Sequence, residues 1–265
     1  MQPQKNLWLS LTIGNSRLHW ARFADASLQE TWDSEHLEKW EILALYPSFP
    51  LCLSPPLYLA SVVPSQTELW LSYPNVRPIA LNDLPVEGLY PTLGIDRALA
   101  VLGAGETFGW PILVIDAGTA LTFTGADAAR RLVGGAILPG LRLQLQSLAQ
   151  GTAALPEIEL PGALPPRWGL NTSLAIQSGI IYTVLAGIAD FIDAWRQEFP
   201  QSRIVLTGGD RTLLLNYLQS VFPQVATKIN TDPHLIFWGI RQLWERETGK
   251  AMKSNSSPQM VKTND

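Results

Sequence analysis

The chain has 265 residues, 46% of them hydrophobic, and a formal charge of −4 with a pI near 5.4. That length and composition can support a sizeable core, and scattered Lys and Arg give no electrostatic footprint for nucleic acid. Cys52 is the only cysteine, which excludes an intrachain disulfide and a thiol-based metal cluster and fits a reducing compartment.

The opening "MQPQKNLWLSL" lacks the basic start and long apolar core of a signal peptide, and no later apolar run is read as membrane-spanning. A cytoplasmic protein without a membrane partner is expected. Leu7 to Ile13, "LWLSLTI", predicts a strand that meets a break at Gly14-Asn15 and resumes as "SRLHWARF" with a rough period of two. A helix is expected from Ser34 to Tyr46, then a strand in "LYLASVV", another helix, and a helix with an apolar face in "LGIDRALAVLGAGE". Ile112 to Asp116 repeats the opening plan, with strand, "AGT" turn, strand through "ALTFTGA" and a further strand in "RLVGGAIL".

Laid over each other without a gap, "TIGNS" and "DAGTA" place Thr12 opposite Asp116, Gly14 opposite Gly118 and Ser16 opposite Ala120. The chain therefore reads as two copies of one unit. The second copy continues with a helix from Gly140, a Pro-rich connection, a long helix from about Asn171 to Trp195, a strand in "RIVLTGGD" with a Gly-Gly turn and helix, and a last helix over Pro233 to Glu247. Each half is hairpin-led and mixed α/β. The boundary is expected near Gly109 to Pro111, giving units 1–110 and 111–248 with a polar, disordered tail over 249–265.

Asp116 ends an apolar strand, where an unpaired carboxylate carries a desolvation cost of several kcal/mol, so something must compensate it. Turns bearing Gly and a small hydroxyl let backbone N–H groups approach a phosphate. Each of the two turns alone is also an ordinary tight hairpin turn. As a matched pair, they favour a nucleotide held between two halves. In "GIDR", Gly94 to Arg97, an acid at a helix N-terminus stays ionised and able to accept a proton. Arg97 points elsewhere and suits an anion clamp, although a solvated surface pair would look the same. "LTGGD" suits an approach to a base or phosphate, or simply a strand-to-helix turn capped by Asp210. His19, His36 and His234 lack metal-ligand spacing and are expected to be structural.

The ordered set "IGNS", "GIDR", "DAGTALT", "GGAILPG", "NTSLAIQSG", "LTGGD" resembles type III pantothenate kinase, in the acetate and sugar kinase, heat-shock chaperone ATPase and actin superfamily. The resemblance covers about residues 7 to 245. It implies two ribonuclease H-like domains of the actin-like ATPase fold with a nucleotide cleft between them, and a homodimer. The activity implied is phosphorylation of pantothenate by ATP, the first step of coenzyme A biosynthesis, with magnesium or another divalent cation and with potassium or ammonium.

By the same resemblance, Asp96 is the proton acceptor and Asp116 the monovalent-cation ligand. Thr12, Ile13, Gly14, Asn15, Ser16, Arg17, Leu18, His19 and Thr119 would bind ATP. Tyr90, Gly94, Ile95, Asp96 and Arg97 would line the pantothenate site, with Thr172 reaching it in the partner subunit. The family's first motif is usually Asp-x-Gly-Asn-Thr with a Lys further on. Here Thr12 replaces the Asp and His19 stands where Lys is common, so the alternative is a non-catalytic regulatory or accessory relative.

Overall fold

The computed structural model describes residues 6–39, 41–42 and 55–249. Strands β1 (Leu7–Ile13), β2 (Leu18–Ala24), β3 (Ser27–Ser34), β4 (Leu57–Ser61) and β5 (Val76–Pro78) form one sheet in the order β3-β2-β1-β4-β5. Helix α1 (Pro64–Trp70) links β4 to β5, and α2 (Ile95–Phe108) follows. Strands β6 (Ile112–Ala117), β7 (Ala120–Ala126), β8 (Leu132–Pro139), β9 (Arg203–Thr207) and β10 (Ile229–Thr231) form the second sheet in the order β10-β9-β6-β7-β8. Between and after them lie α3 (Leu141–Gly151), α4 (Thr172–Glu198), α5 (Arg211–Val221), α6 (Pro223–Ala226) and α7 (Leu235–Thr248).

The sheets have the same plan. In each, three consecutive strands are antiparallel, and the first is flanked on its other side by two parallel strands. The expected duplication and the α/β class are both present. The register changes one detail. Ile13 pairs with Leu18 but Ala117 with Leu121, so the first turn holds one more residue than the second. The gapless overlay is right for Thr12 and Asp116 but slips on the return strand, where His19, facing Thr12, corresponds to Thr122, facing Asp116.

Period-two alternation splits the first sheet's burial. Trp8 packs with Phe23, Tyr58, α2 and α7, whereas Leu11 and Ile13 pack with Leu57, Leu59 and Trp70 on the opposite face. Helix α2 lies between the two sheets. Its Ala98, Leu99 and Leu102 join the first core, and its Ala100, Val101 and Ala104 meet Ile112, Val114 and Val205 of the second sheet. A helix buried on opposite sides must be apolar nearly all round, as "ALAVLGAG" is.

Glycines set how closely α7 crosses α2. A Cβ on Gly103 would strike the Leu235 carbonyl, and one on Gly239 would strike the Leu99 carbonyl. The last helix thus completes the core of the first sheet, with Trp244 stacked on Trp8 at 5.4 Å between ring centroids.

Two expectations need correction. Ser34 ends strand β3 and residues 35–38 are not helical, because the edge strand continues the hairpin before any helix begins; helical residues start at Lys39, and 43–46 lie outside the described residues. Cys52 and the tail from 250 onward also lie outside them. Second, among the described residues one helix, α4, is long and apolar enough to cross a membrane, which the reading by apolar runs missed. Its Ile181, Leu185, Ile188 and Ile192 are buried against the second sheet with α3 and α5, the position of a core helix.

Candidate active site

The two hairpin turns meet across the cleft, with Ser16 Oγ and Thr119 Oγ1 3.3 Å apart. Each turn is closed by its own backbone: Gly14 N–H donates to the Arg17 carbonyl at 3.0 Å and Gly118 N–H to the Ala120 carbonyl at 3.1 Å. The N–H groups of Asn15, Ser16 and Thr119 have no backbone acceptor among the described residues, so they can serve an anion. Gly140 fits tightly over the second turn. Its N–H donates to the Thr119 carbonyl at 2.8 Å, and a Cβ there would strike the Gly118 and Thr119 carbonyls. Ile13 and Leu18 border the first turn through backbone alone, since their side chains are buried in the core on the opposite face.

Asp116 sits at the end of β6 beside Thr207 of β9, and its carboxylate has no hydrogen-bond donor among the described residues. Burial is the main reason its pKa is raised from 3.8 to about 6, the Asp96 charge raises it further, and His19 works in the opposite direction. Gly208, in the Gly-Gly turn, covers this acid. With φ +89° it takes a conformation that suits glycine, and a Cβ would strike Asp116 Oδ1 and the Ala117 carbonyl. The adjoining Asp210 occupies the N-cap of α5 without the expected side-chain cap; its Oδ1 instead faces Arg142 at 3.3 Å.

Asp96 lies in the first turn of α2, where the helix dipole favours an anion. Gly94, the N-cap, leaves room for it, because a Cβ there would strike Asp96 Oδ1. That oxygen also accepts the Arg97 N–H at 2.8 Å. Arg97 itself is buried. Its Nε donates to Thr124 Oγ1 at 2.9 Å, one Nη to the Phe123 carbonyl at 3.0 Å and the other to Tyr90 Oη at 3.2 Å. Gly135 makes space for the guanidinium. Tyr90, 41% exposed, is thereby fixed beside the "GIDR" turn, while the Ile95 side chain is buried.

Thr172, at the start of α4, does not join this group within one chain. It lines a separate groove with Leu148, Leu155, Leu170, Ala175 and Gly179, next to an N-cap in which Asn171 Oδ1 accepts the Leu174 N–H at 2.9 Å. Leu170 in that groove is 98% exposed.

Thr12 is buried at the position equivalent to Asp116, between His19 on β2 and Ala60 on β4. No cluster of three potential metal-ligating side chains occurs among the described residues. The residues present therefore do not build a divalent-metal site by themselves. Asp116 does suit a monovalent cation, being a carboxylate without a donor under a glycine cover. Sequence reading missed Asp33 and Gly208 as the cover over Asp116; His36, expected to be structural, bonds the Gly14 carbonyl through Nε2 at 2.8 Å. A β3 strand would have signalled the first of these, since cross-strand register puts Asp33 opposite His19.

The type III pantothenate kinase family profile matches residues 8–194. A type III pantothenate kinase from Nostoc sp. (strain PCC 7120) is 51% identical over 261 residues, spanning 90% of this chain and 95% of the relative. Among solved structures, a Baf family transcriptional activator from Campylobacter jejuni aligns with TM-score 0.63 at 20% identity, covering 91% of this chain and 99% of that one. A 2-dehydro-3-deoxygalactonokinase protein from Sinorhizobium meliloti aligns with TM-score 0.57 at 12% identity, covering 96% of this chain and 100% of that one. At such identities the two structures establish the fold, that of the actin-like ATPases and sugar kinases, and nothing finer. The match along most of the chain, to the profile and to the relative alike, places it in the type III pantothenate kinase family.

Proposed function

We propose that this chain is an ATP-dependent pantothenate kinase that makes 4'-phosphopantothenate, the first step of coenzyme A biosynthesis. The observation that carries the reading is the meeting of the two Gly-hydroxyl turns, Ser16 to Thr119 at 3.3 Å, beside Asp96 and Asp116. Phosphoryl transfer needs positioning and charge neutralisation more than covalent help.

In this reading ATP lies between the turns, its phosphates facing the free N–H groups of Asn15, Ser16 and Thr119. Asp96 accepts the proton of the pantothenate hydroxyl as its oxygen bonds to the γ-phosphorus and ADP leaves. Tyr90, held by Arg97, borders the substrate next to Gly94 and Ile95. Asp116 would hold potassium or ammonium, which would offset the desolvation of its carboxylate. A divalent cation such as magnesium, bound with ATP, would supply further charge neutralisation. The chain divides near Gly109 to Pro111 into two ribonuclease H-like halves, with α7 returning to pack on the first, and works in the cytoplasm as a homodimer, with Thr172 of each copy serving the pantothenate site of the other.

A coupled ADP-release assay with pantothenate, magnesium and potassium tests this. Turnover above background that needs pantothenate is expected, and its absence at every metal concentration would leave a non-catalytic relative. Exchanging potassium for sodium should lower the rate, and Asp116→Ala should remove that dependence. Sedimentation at micromolar concentration should find a dimer; a monomer would remove Thr172 from the shared site.

A further inference from the structure

The first sheet carries a row of three residues across its antiparallel strands: Thr12 on β1, His19 on β2 and Asp33 on β3. Directly opposed residues share a face, and Thr12 ends at the cleft. The same row in the second sheet reads Asp116, Thr122 and Ile137. The first half has therefore lost its central carboxylate but has one two strands away, with an imidazole between it and the cleft.

His19 Nδ1 lies 2.8 Å from Asp33 Oδ1. A carboxylate only accepts, so Nδ1 carries the hydrogen and the bond fixes the ring's orientation. The other nitrogen, Nε2, faces the phosphate turn, 3.8 Å from where a Cβ on Gly14 would stand. On the other side of the same turn, His36 Nε2–H donates to the Gly14 carbonyl at 2.8 Å. In a trans peptide, C=O and N–H point opposite ways, so this bond turns the Asn15 N–H away from His36.

We propose that Asp33 is a positioning residue for nucleotide binding: it holds the His19 ring so that Nε2 is aimed at a phosphate of ATP bound at the first turn, to which it donates when ATP is bound to the imidazolium form. The proposal rests on the kinase reading for its ligand. It assigns Asp33 no contact with ATP and no part in the proton transfer at Asp96.

The test compares Asp33→Ala, Asp33→Asn, His19→Gln and the Asp33→Ala/His19→Gln double variant. ATP affinity is measured by isothermal titration and KM for ATP and for pantothenate by ADP release. Losing an oriented, charge-assisted hydrogen bond should weaken ATP binding about fivefold to tenfold in Asp33→Ala. KM for pantothenate should not change. Asp33→Asn keeps an oxygen that accepts from Nδ1–H and should restore most of the affinity. The double variant should be no weaker than His19→Gln alone, the signature of one residue acting through the other.

ATP affinity within twofold of wild type in Asp33→Ala, an equal loss in Asp33→Asn, or fully additive losses in the double variant would overturn the proposal. If wild type binds ATP but phosphorylates no pantothenate, the kinase reading fails while titration still decides the role of Asp33.

Discussion

The β1–β2 and β6–β7 hairpins are built on one plan and spend their charge differently. In the second, the acid is central, on β6, covered by Gly208 and flanked by Thr207. In the first, the central position is neutral Thr12, and the carboxylate sits outward on Asp33, bonded to His19, with both side chains about half exposed. A carboxylate under cover needs a cation to offset its desolvation, whereas an exposed His–Asp pair is solvated already. The two halves share one plan, differing by one residue in the turn, and the residues on their strands give each a different electrostatic character.

The largest expected effect separates the chemical group from both turns. Asp96→Asn should lower kcat by at least about 10²-fold with ATP affinity retained. Near-normal turnover would move the base elsewhere, and intact nucleotide binding in titration would show that the turns work independently of it.

The next concerns Asp116, the partly buried acid. With its folded pKa raised from 3.8 to about 6, Asp116 binds its proton more tightly in the folded chain than in the unfolded one. Stability that is present at low pH is therefore lost as pH rises through about 6, by about 3 kcal/mol at most. Urea unfolding in sodium buffer from pH 4 to 7 should show this slope in wild type and a flatter one in Asp116→Asn. Parallel curves for the two proteins would mean the acid is compensated within the chain, and the contrast between the hairpins would then disappear.

Gly208→Ala attacks the cover over that acid. At a positive φ, with a Cβ meeting Asp116 and the Ala117 carbonyl, it should destabilise the protein by about 1–3 kcal/mol. The matched change in the first half, Gly14→Ala, meets nothing closer than 3.5 Å and should be the milder of the two in thermal melts. Equal losses would contradict the difference in crowding.

The smallest effect sharpens the comparison by making the halves alike. Thr12→Asp puts a carboxylate beside the phosphates, which helps when magnesium lies between them and repels otherwise. The magnesium concentration for half-maximal rate should fall by about threefold, an amount suited to one added ligand in a site held mainly by phosphates and water. An unchanged midpoint would mean that threonine at this position has no bearing on metal use.

Much of this was legible because it depends on local pattern. The two hairpins, the repeat, "GIDR" at a helix start and an acid needing compensation all follow from alternation, turn residues and charge placement along the chain. Strand β3, "SLQETWDS", was missed because it is a mostly exposed, polar edge strand that puts little more than Leu28 against the core. With it went Asp33, since cross-strand partners exist only once the register is known. The one-residue difference between the turns was hidden for a related reason: it shows only in which return-strand residues pair. Gly208 reads as a turn glycine in sequence, and its approach to Asp116 comes from β6 and β9 being parallel neighbours across a long connection.

The crossing of α7 over α2 bears on how the chain is made. Trp8, Phe23 and Leu99 belong to the earliest-synthesised half, yet their core is closed by Phe237, Ile240 and Trp244 near the other end. A nascent chain emerging from the ribosome therefore holds that first apolar surface open until almost all of it has been translated. The second sheet waits nearly as long, because Val225, Ala226 and strand β10 belong to it and Leu235 of α7 packs on its other face, so both halves close only as the last helices emerge.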